Sequence, residues 1–377
     1  MTRRVVIAAN SAWNIVNFRS GLIRGLKAAG YEPVIIAPVD PAVEARMAEL
    51  GVERVSIEID RSGLNPIADF RLLLAYRKIL RRLAPIAFLG FTVKPNVYGC
   101  IAARGLGIPA IANISGLGTA FIKSGPLTSV VSSLYRFALK RAGVIFFQNP
   151  DDRALFLEKK IVRAPQAQLI PGSGVDLERF APAPLPSGPP KFLLIARLLG
   201  DKGIREYAVA AGMLKANLPN AKFQLLGPLD EANRTAISRA ELERWIGEGA
   251  INYLGETDDV RPFVRRASVL VLPSYREGLP RSLLEGAAMA RPLIATDVPG
   301  SRELVAEKVT GLLCEPRNPA SLAAAMQQFM QMTSRKRSEM GAAARRMVEQ
   351  QFSEDLVVDA YLGALQRVTV QIAQRDR

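Results

Sequence analysis

Short apolar segments rich in β-branched and aromatic residues alternate along this chain with segments of helical periodicity. The run Val5–Ala9 is followed by the helical segment Ser20–Ala29, and Pro33–Ala37 is followed by Pro41–Leu50. A strongly amphipathic pattern then covers Phe70–Leu83. Nearly continuous apolar strands separated by helices predict an α/β fold, with a parallel sheet covered by helices on both faces.

The alternation is interrupted once, at 181–190, where five prolines fall within ten residues. Such a segment suits neither a helix nor the interior of a sheet, so we interpret it as a stiff linker. The alternation then resumes with the strand Phe192–Ala196. We therefore predict two α/β domains, 1–180 and 191–352, and a C-terminal helix over 353–377 that packs back on the first domain. Because open parallel sheets bind ligands at the carboxyl ends of their strands, we expect the active site in a cleft between the domains.

The composition excludes several kinds of chemistry. The chain has no histidine, so histidine triads, histidine metal sites and a histidine general base are ruled out. The two cysteines, Cys100 and Cys314, are far apart, which predicts neither a disulfide framework nor a thiolate zinc site and favours a reducing cytoplasm. The start of the chain lacks the apolar core and cleavage site of a signal peptide, and no segment reaches the ~20 apolar residues that span a bilayer.

The formal net charge of +15 is concentrated in the first half, where residues 1–180 carry 24 Lys and Arg against 13 Asp and Glu. Such an excess suits nucleic acid, an anionic membrane or a phosphorylated substrate. No nucleic-acid-binding signature accompanies it, so we expect no nucleic-acid partner. The basic segments Phe70–Leu83 and Leu127–Arg141 are either ordinary amphipathic helices on the sheet or surfaces that dock on anionic lipid.

The segment 272–292 joins a buried strand to a helix through a loop that carries Glu277 and Gly278. Pro280 fits the first turn of that helix, where its missing N–H costs nothing. Backbone N–H groups and a helix N-terminus then point to one spot beyond the strand, which suits a diphosphate. Glu277 and Glu285 can accept hydrogen bonds from sugar hydroxyls. The alternative is a helix with solvent-facing glutamates.

A second candidate site follows the first strand of the second domain. Arg197 and Lys202 lie five residues apart in a loop that ends at Gly203 and leads into a helix. Two cations in such a loop can clamp a diphosphate. Taken alone they could also be two surface cations in a strand–helix turn.

The first domain contains weaker candidates. Gly116 and Gly118 follow an apolar strand and form either a cradle of backbone N–H groups or only a turn. Lys94 follows another strand and is either a phosphate ligand or a solvated lysine. Asn17 and Arg19, in the segment after the first strand, are further candidates for contacts with the acceptor or with phosphate.

These motifs resemble those of the retaining family 4 glycosyltransferases of the GT-B fold. The resemblance rests on Glu277-x7-Glu285, on Arg197 with Lys202-Gly203, on Gly174-Val-Asp176, and on the run from Thr296-Asp-x-Pro-Gly300 to Glu315-Pro316. Within that family, the chain is similar to bacterial enzymes that extend undecaprenyl-diphosphate-linked saccharides. This narrower likeness uses the segment 61–66 and Gly116-Leu-Gly118.

The resemblance implies two Rossmann-like domains and a role for each motif. Arg197 and Lys202 would hold the donor diphosphate, and Glu285 would bind the nucleotide ribose. Glu277 would contact the donor sugar, and backbone N–H groups of Gly278 and Leu279 would hold phosphate or sugar. No cofactor and no obligatory metal are implied. The loop after the first strand lacks the Gly-Gly pair of many relatives, and the histidine that many carry in the first domain is missing.

The sequence therefore predicts transfer of a hexose or N-acetylhexosamine from a nucleoside-diphosphate sugar, with UDP favoured, to a polyprenyl-diphosphate-linked saccharide. The leaving diphosphate itself would deprotonate the acceptor hydroxyl. We expect a cytoplasmic protein on the inner face of the cytoplasmic membrane, with an anionic membrane surface as partner. Two alternatives remain: a nucleotide-sugar epimerase or hydrolase on the same fold, and a non-catalytic module that binds sugar nucleotides or membranes.

Overall fold

In the computed structural model the chain divides into two units, Met1–Gly174 with Glu354–Arg377, and Val175–Ser353. The structure describes residues 3–60, 65–117, 125–231, 233 and 235–375. No helix in these ranges is both long enough and apolar enough to cross a bilayer.

The described part of the first unit contains one parallel sheet. Its strands are β1 Arg4–Ala8, β2 Glu32–Ala37, β3 Glu53–Ser56, β4 Ala87–Phe91, β5 Ala110–Ile114, β6 Val144–Phe147 and β7 Ala167–Leu169. Their spatial order is β3-β2-β1-β4-β5-β6-β7, with all pairs parallel. The apolar run at 55–59 coincides only in part with β3, and β7 has three residues, too few for any periodicity.

Two layers of helices cover this sheet. The helices are α1 Ala12–Phe18, α2 Ser20–Ala28, α3 Glu44–Glu49, α4 Pro66–Leu83, α5 Cys100–Arg104, α6 Pro126–Leu139, α7 Pro150–Glu158 and, from the end of the chain, α14 Glu354–Arg375. Val6 and Ala8 of β1 share one core with α4 to α7, while Val5 and Ile7 share the other with α1 to α3 and α14. Because both faces of β1 are buried, its sequence is a continuous apolar run rather than an alternating one.

Helix α4 shows how local sequence determines an element of the first unit. The side chain of Asn65 caps the helix by accepting hydrogen bonds from the N–H groups of Ile67 and Ala68, both at 3.2 Å, and Pro66 occupies the first turn. The helix ends at Ala84, whose φ of 42° is left-handed. It buries one stripe of side chains, namely Leu72, Tyr76, Leu80 and Leu83.

The second unit also contains a parallel sheet in its described residues. The strands are β8 Lys191–Ile195, β9 Lys222–Leu226, β10 Asn252–Tyr253, β11 Val269–Leu272, β12 Leu293–Thr296 and β13 Gly311–Cys314, in the order β10-β9-β8-β11-β12-β13. The helices are α8 Ile204–Lys215, α9 Arg239–Gly247, α10 Arg261–Arg266, α11 Arg281–Ala288, α12 Pro319–Gln331 and α13 Ser334–Gln351. The segment between β12 and β13 contains a single 3-10 turn, Arg302–Leu304.

The boundary between the units differs from the one expected at the Pro-rich segment 181–190, which lies inside the second unit. The guanidinium of Arg291 is buried and donates hydrogen bonds to the carbonyls of Ala183, Pro184 and Ala267. Proline removes backbone donors but leaves every carbonyl as an acceptor, so a Pro-rich segment is well suited to this contact. The chain passes between the units at Gly174–Val175 instead.

The C-terminal helix α14 belongs to the first unit. It packs against α2, where Gly21 and Gly25 leave room for Glu354 and Val358: an added Cβ would come within 1.7 Å and 2.3 Å of those two side chains. Inside the same core, Asn113 Nδ2 donates a 2.9 Å hydrogen bond to the hydroxyl of Tyr361.

Candidate active site

Strands β8 and β11 are parallel neighbours, so the loops that follow them leave the same edge of the second sheet side by side. The loop after β8 carries Arg197 and Lys202, and the loop after β11 carries Glu277. The two loops are joined directly by a 2.9 Å hydrogen bond from the N–H of Tyr275 to the carbonyl of Asp201. Two motifs more than seventy residues apart in sequence thus form one structural feature.

Lys202 and Glu277 meet at the centre of this feature. Lys202 Nζ donates to Glu277 Oε1 at 2.5 Å, and the two side chains are 25% and 13% exposed. Two glycines allow this approach. Gly203 takes a left-handed φ of 70° beside the carbonyl of Pro273, and Gly300, with φ 86°, lies against the carbonyls of Glu277 and Gly278. Neither contact leaves room for a side chain.

Helix α11 begins directly after this loop, with Pro280 as its N-cap residue rather than within its first turn. Gly278 and Leu279, the last loop residues before Pro280, are buried. The N-terminus of α11 therefore lies just beyond the loop that carries Glu277, as the sequence predicted. Unpaired N–H groups and the helix dipole make such a position favourable for negative charge.

Glu285 lies in the second turn of α11, where its side chain is 13% exposed. Burial raises the pKa of Glu285, and the Arg281 guanidinium opposes that shift. Arg281 Nε donates to Glu285 Oε1 at 2.9 Å. Because Arg281 bonds only one oxygen of this carboxylate, the second oxygen can accept a hydrogen bond from a ligand hydroxyl. The sequence motif did not single out Arg281, although its spacing of four residues from Glu285 is a usable signal.

Arg197 is not brought to the Lys202–Glu277 pair. Its side chain is 58% exposed, and its Nη1 donates to Asp230 Oδ2 at 2.9 Å. Asp230 follows β9, the other neighbour of β8, and no sequence motif pointed to it. The cation nearest to Glu277 in this motif is therefore Lys202.

Tyr275 and Glu206 form a further contact at the same loop that sequence reasoning missed. The Tyr275 hydroxyl donates to Glu206 Oε1 at 2.6 Å, and the guanidinium of Arg317 lies 4.5 Å from the centre of the tyrosine ring. Burial, together with this hydrogen bond, raises the pKa of Tyr275 to about 12. The phenol is therefore protonated at neutral pH and anchors the loop after β11 to α8.

In the first unit, Lys94 lies after β4 but is paired. Its Nζ donates to Asp69 Oδ1 at 2.8 Å, and the two side chains are 12% and 7% exposed. Burial and a hydrogen bond to the same carboxylate raise the pKa of Tyr98 to about 12. Lys94 is thus part of a buried cluster that ties α4 to the turn Pro95–Gly99.

The other first-unit candidates differ in how they are placed. Arg19 is 3% exposed and stacks on the ring of Phe91 at 4.1 Å. The Asn17 side chain donates to the carbonyl of Trp13 and accepts from Arg46, both at 2.9 Å. Gly116 follows β5 with a φ of 126°. Gly118 lies outside the described residues.

Two family models match the chain. A glycosyl transferase 4-like domain matches residues 16–172, and the model for glycosyl transferases group 1 matches residues 176–347. The matches divide at 172–176, where the structure divides as well.

Among characterised proteins, the chain is similar to an N,N'-diacetylbacillosaminyl-diphospho-undecaprenol alpha-1,3-N-acetylgalactosaminyltransferase of Campylobacter jejuni. The two are 28% identical, over 97% of this chain and 99% of the relative. A UDP-Gal:alpha-D-GlcNAc-diphosphoundecaprenol alpha-1,3-galactosyltransferase of Escherichia coli is 26% identical over 67% of this chain and 68% of its own length.

A solved structure agrees with the fold. HepE of Anabaena, in complex with UDP, superposes with a TM-score of 0.76 at 17% identity, covering 97% of this chain and 100% of that one. Two parallel-sheet, Rossmann-like units matched by two glycosyltransferase models confirm the predicted fold class and enzyme class. The chain is a glycosyltransferase of the GT-B fold, with a glycosyl transferase 4-like domain followed by a domain of the glycosyl transferases group 1.

Proposed function

We propose that this enzyme transfers a hexose or N-acetylhexosamine from a UDP-sugar to a polyprenyl-diphosphate-linked saccharide, with retention at the anomeric carbon. The observation that carries the donor half of the proposal is the Lys202–Glu277 pair beside the N-terminus of α11. The acceptor half is supported by the similarity to two transferases whose names specify diphospho-undecaprenol acceptors.

The donor would bind across the two loops. Lys202 exchanges Glu277 for the diphosphate, which also meets the N-terminus of α11 and the N–H groups of Gly278 and Leu279. Glu277, released from Lys202, accepts hydrogen bonds from hydroxyls of the sugar, and Glu285 accepts hydrogen bonds from hydroxyls of the ribose. Arg197 reaches the diphosphate from the side of Asp230. These cationic groups neutralise the leaving diphosphate, so the proposal includes no cofactor and no obligatory metal.

The chemical step breaks the bond between the anomeric carbon and the diphosphate oxygen. The acceptor oxygen forms its bond to the same face of that carbon, and its proton passes to the departing phosphate oxygen. Positive groups that are already in place stabilise the charge that develops on the diphosphate, which is commonly the largest catalytic contribution. The chain supplies no histidine for this proton transfer.

On the first-unit side we propose Gly116 as a donor ligand, together with Gly118, which rests on sequence alone. Asn17, Lys94 and Arg19 remain candidates for the acceptor or its phosphates. Lys94 would bind phosphate only in exchange for Asp69, and Arg19 only by leaving Phe91, so we rank both below Gly116. The enzyme would work on the cytoplasmic face of the membrane, with an anionic lipid surface and no nucleic acid as partner.

The test is a donor screen. The purified full-length chain is incubated with UDP-, GDP-, ADP- and dTDP-sugars and with short undecaprenyl-diphosphate saccharides, and the lipid products are weighed by mass spectrometry. We expect one UDP-sugar to add the mass of one hexose or N-acetylhexosamine, and the anomeric coupling constant of the product to show retention. Release of free sugar or an epimer without transfer would instead indicate a hydrolase or epimerase.

Lys202→Met removes the central cation, and we expect it to abolish measurable transfer and weaken UDP binding. The matched control is Lys336→Met, an exposed lysine on α13. If Lys202→Met bound UDP and transferred sugar like the control, the donor assignment would be wrong. UDP binding without any transfer across the whole panel would favour a non-catalytic module.

A further inference from the structure

The outward face of α4 is apolar where a surface helix is ordinarily polar. Ile67, Phe70 and Leu74 follow one another at steps of three and four residues, which places them on one side of the helix. They are 67%, 60% and 49% exposed, while the opposite stripe is buried in the first-unit core. The helix thus has an apolar inner face and an outer face whose first half is also apolar.

The charges on this outer face all have one sign. Arg71, Arg77, Lys78, Arg81 and Arg82 are exposed on α4, and its single acid, Asp69, is buried against Lys94. From residue 70 to residue 150 the chain has eleven Lys and Arg and no Asp or Glu. A merely solvated helix face ordinarily mixes both signs, since unscreened like charges repel one another.

The neighbouring elements of the same layer extend this surface. Helices α4, α5 and α6 share one core. Val93, Val130 and Phe137 are 48%, 50% and 57% exposed. The end of α6 and the residues after it add exposed cations, namely Arg136, Lys140 and Arg141. We call this surface, formed by the exposed apolar and basic side chains of 67–82, Val93 and 130–141, the α4–α6 face.

Four of its apolar residues lie towards one edge of the sheet. Ile67 and Phe70 are in the first turns of α4, which follows β3; Val93 comes directly after β4; Val130 is near the start of α6, which follows β5. Each therefore lies near the carboxyl end of a strand, the edge at which open α/β sheets bind ligands. The basic residues of the C-terminal half of α4 lie up to about 20 Å further along the helix.

We propose that the α4–α6 face docks on an anionic bilayer, with α4 lying in the interface and Ile67, Phe70 and Leu74 inserted below the lipid headgroups. Protruding aliphatic side chains within a purely cationic surface suit the acyl boundary and the anionic headgroups together. A second copy of this chain would meet like charge. The inference rests on the proposed function only in that a membrane-linked acceptor requires the enzyme at a membrane.

The test is flotation of the full-length chain with vesicles of phosphatidylcholine containing phosphatidylglycerol, at low salt and at 1 M salt. The variant Ile67→Ser/Phe70→Ser/Leu74→Ser removes the apolar insertion and keeps every charge. Losing the burial of three such side chains should lower partitioning by about 10²–10⁴-fold. Its matched control is Val209→Ser/Met213→Ser/Val309→Ser, which alters three side chains of the second unit that are 45%, 53% and 56% exposed.

We expect the wild type and the control variant to float equally and to retain part of their binding at 1 M salt, because insertion is not screened. The apolar variant should lose that salt-resistant part. Arg77→Glu/Lys78→Glu/Arg81→Glu should weaken binding at low salt by about fivefold or more per residue. The proposal is overturned if the wild type does not float, if the apolar variant floats like wild type, or if the control loses as much.

Vesicle binding is measured without donor or acceptor, so it is independent of the proposed reaction. Binding that behaves as expected in a chain that transfers no sugar would leave the docking face standing and refute the proposed function. The apolar variant should keep the wild-type unfolding temperature, and it should transfer sugar normally to a short-chain, water-soluble acceptor. If the apolar variant unfolds at a lower temperature and also fails to transfer sugar to this acceptor, it has a folding defect. The vesicle binding of the charge variant then decides the proposal.

Discussion

Gly203 is the position at which the donor loop is most sensitive to a single methyl group. It combines a left-handed φ of 70° with a close backbone contact, because a Cβ built on it would lie 2.1 Å from the carbonyl oxygen of Pro273. Backbone is the obstacle, so no side-chain rotation can relieve the overlap. Gly203→Ala must therefore push the loop that carries Lys202 away from the loop that carries Glu277.

The expected cost follows from these two features. An L-residue in the left-handed conformation costs about 1–2 kcal/mol, and overpacking against a fixed neighbour costs about 1–3 kcal/mol more. The sum of about 2–5 kcal/mol is a large share of a typical domain stability of about 5–15 kcal/mol. For a unit of this size, it corresponds to a fall of roughly 5–15 °C in the unfolding temperature.

Helix α8, which begins directly after Gly203, supplies the control. Gly212 is an exposed residue within α8, and a Cβ there would meet nothing within 4 Å. Because glycine disfavours a helix interior, Gly212→Ala should stabilise the second unit by about 0.5–1 kcal/mol.

Scanning calorimetry of the full chain, with each unit's transition analysed separately, measures both effects. UDP titration should show that Gly203→Ala also loses donor affinity and that Gly212→Ala keeps it. Equal unfolding temperatures for the two variants, or normal UDP binding by Gly203→Ala, would refute the reasoning.

Three further predictions concern the second unit. Burial raises the pKa of Glu285 above its ordinary value of 4.5, so the contribution of this carboxyl to the stability of the unit is full below pH 4.5 and is lost as the pH rises through the folded-state pKa. Glu285→Gln should flatten that decline of stability with pH in calorimetry and should lose UDP affinity. A pH profile of stability unchanged from wild type would contradict this prediction. Arg291→Met leaves four backbone carbonyls without their guanidinium and should cost about 2–4 kcal/mol, with faster proteolysis at 181–190 than in the exposed control Arg335→Met. Arg197→Ala should lower turnover by about 10²–10³-fold while leaving the unfolding temperature unchanged, since this side chain is 58% exposed, and normal turnover would remove it from the donor clamp.

The architecture was largely predictable because parallel strands buried on both faces have a simple sequence pattern. The runs at 5–9, 33–37 and 192–196 are strands within one or two residues of their predicted bounds. Strand β7 was not predictable, because its three residues are too few for any periodicity. Helix α1, Ala12–Phe18, was also missed, since its polar side chains obscure a helix capped by Ser11.

The motif residues of the second domain were predicted as a group, but their contacts were not. The loops that carry Lys202 and Glu277 follow β8 and β11, so they lie side by side if those two strands are neighbours. In the structure β8 and β11 are paired. Which cation meets Glu277 depends on side-chain directions that no spacing encodes, and it is Lys202, while Arg197 turns to Asp230. In the first unit, Lys94 was an exposed candidate in sequence and is buried against an acid twenty-five residues away.

By itself, the sequence determined the class of fold, the existence of two such folds and the two loops that carry the donor motifs, because periodicity, glycines and prolines act through local backbone preferences. Tertiary structure alone decided where the chain crosses between units, which face of α4 is left apolar and exposed, and how each charge is paired. Those outcomes depend on contacts between residues far apart in the chain, where packing and desolvation outweigh local preference.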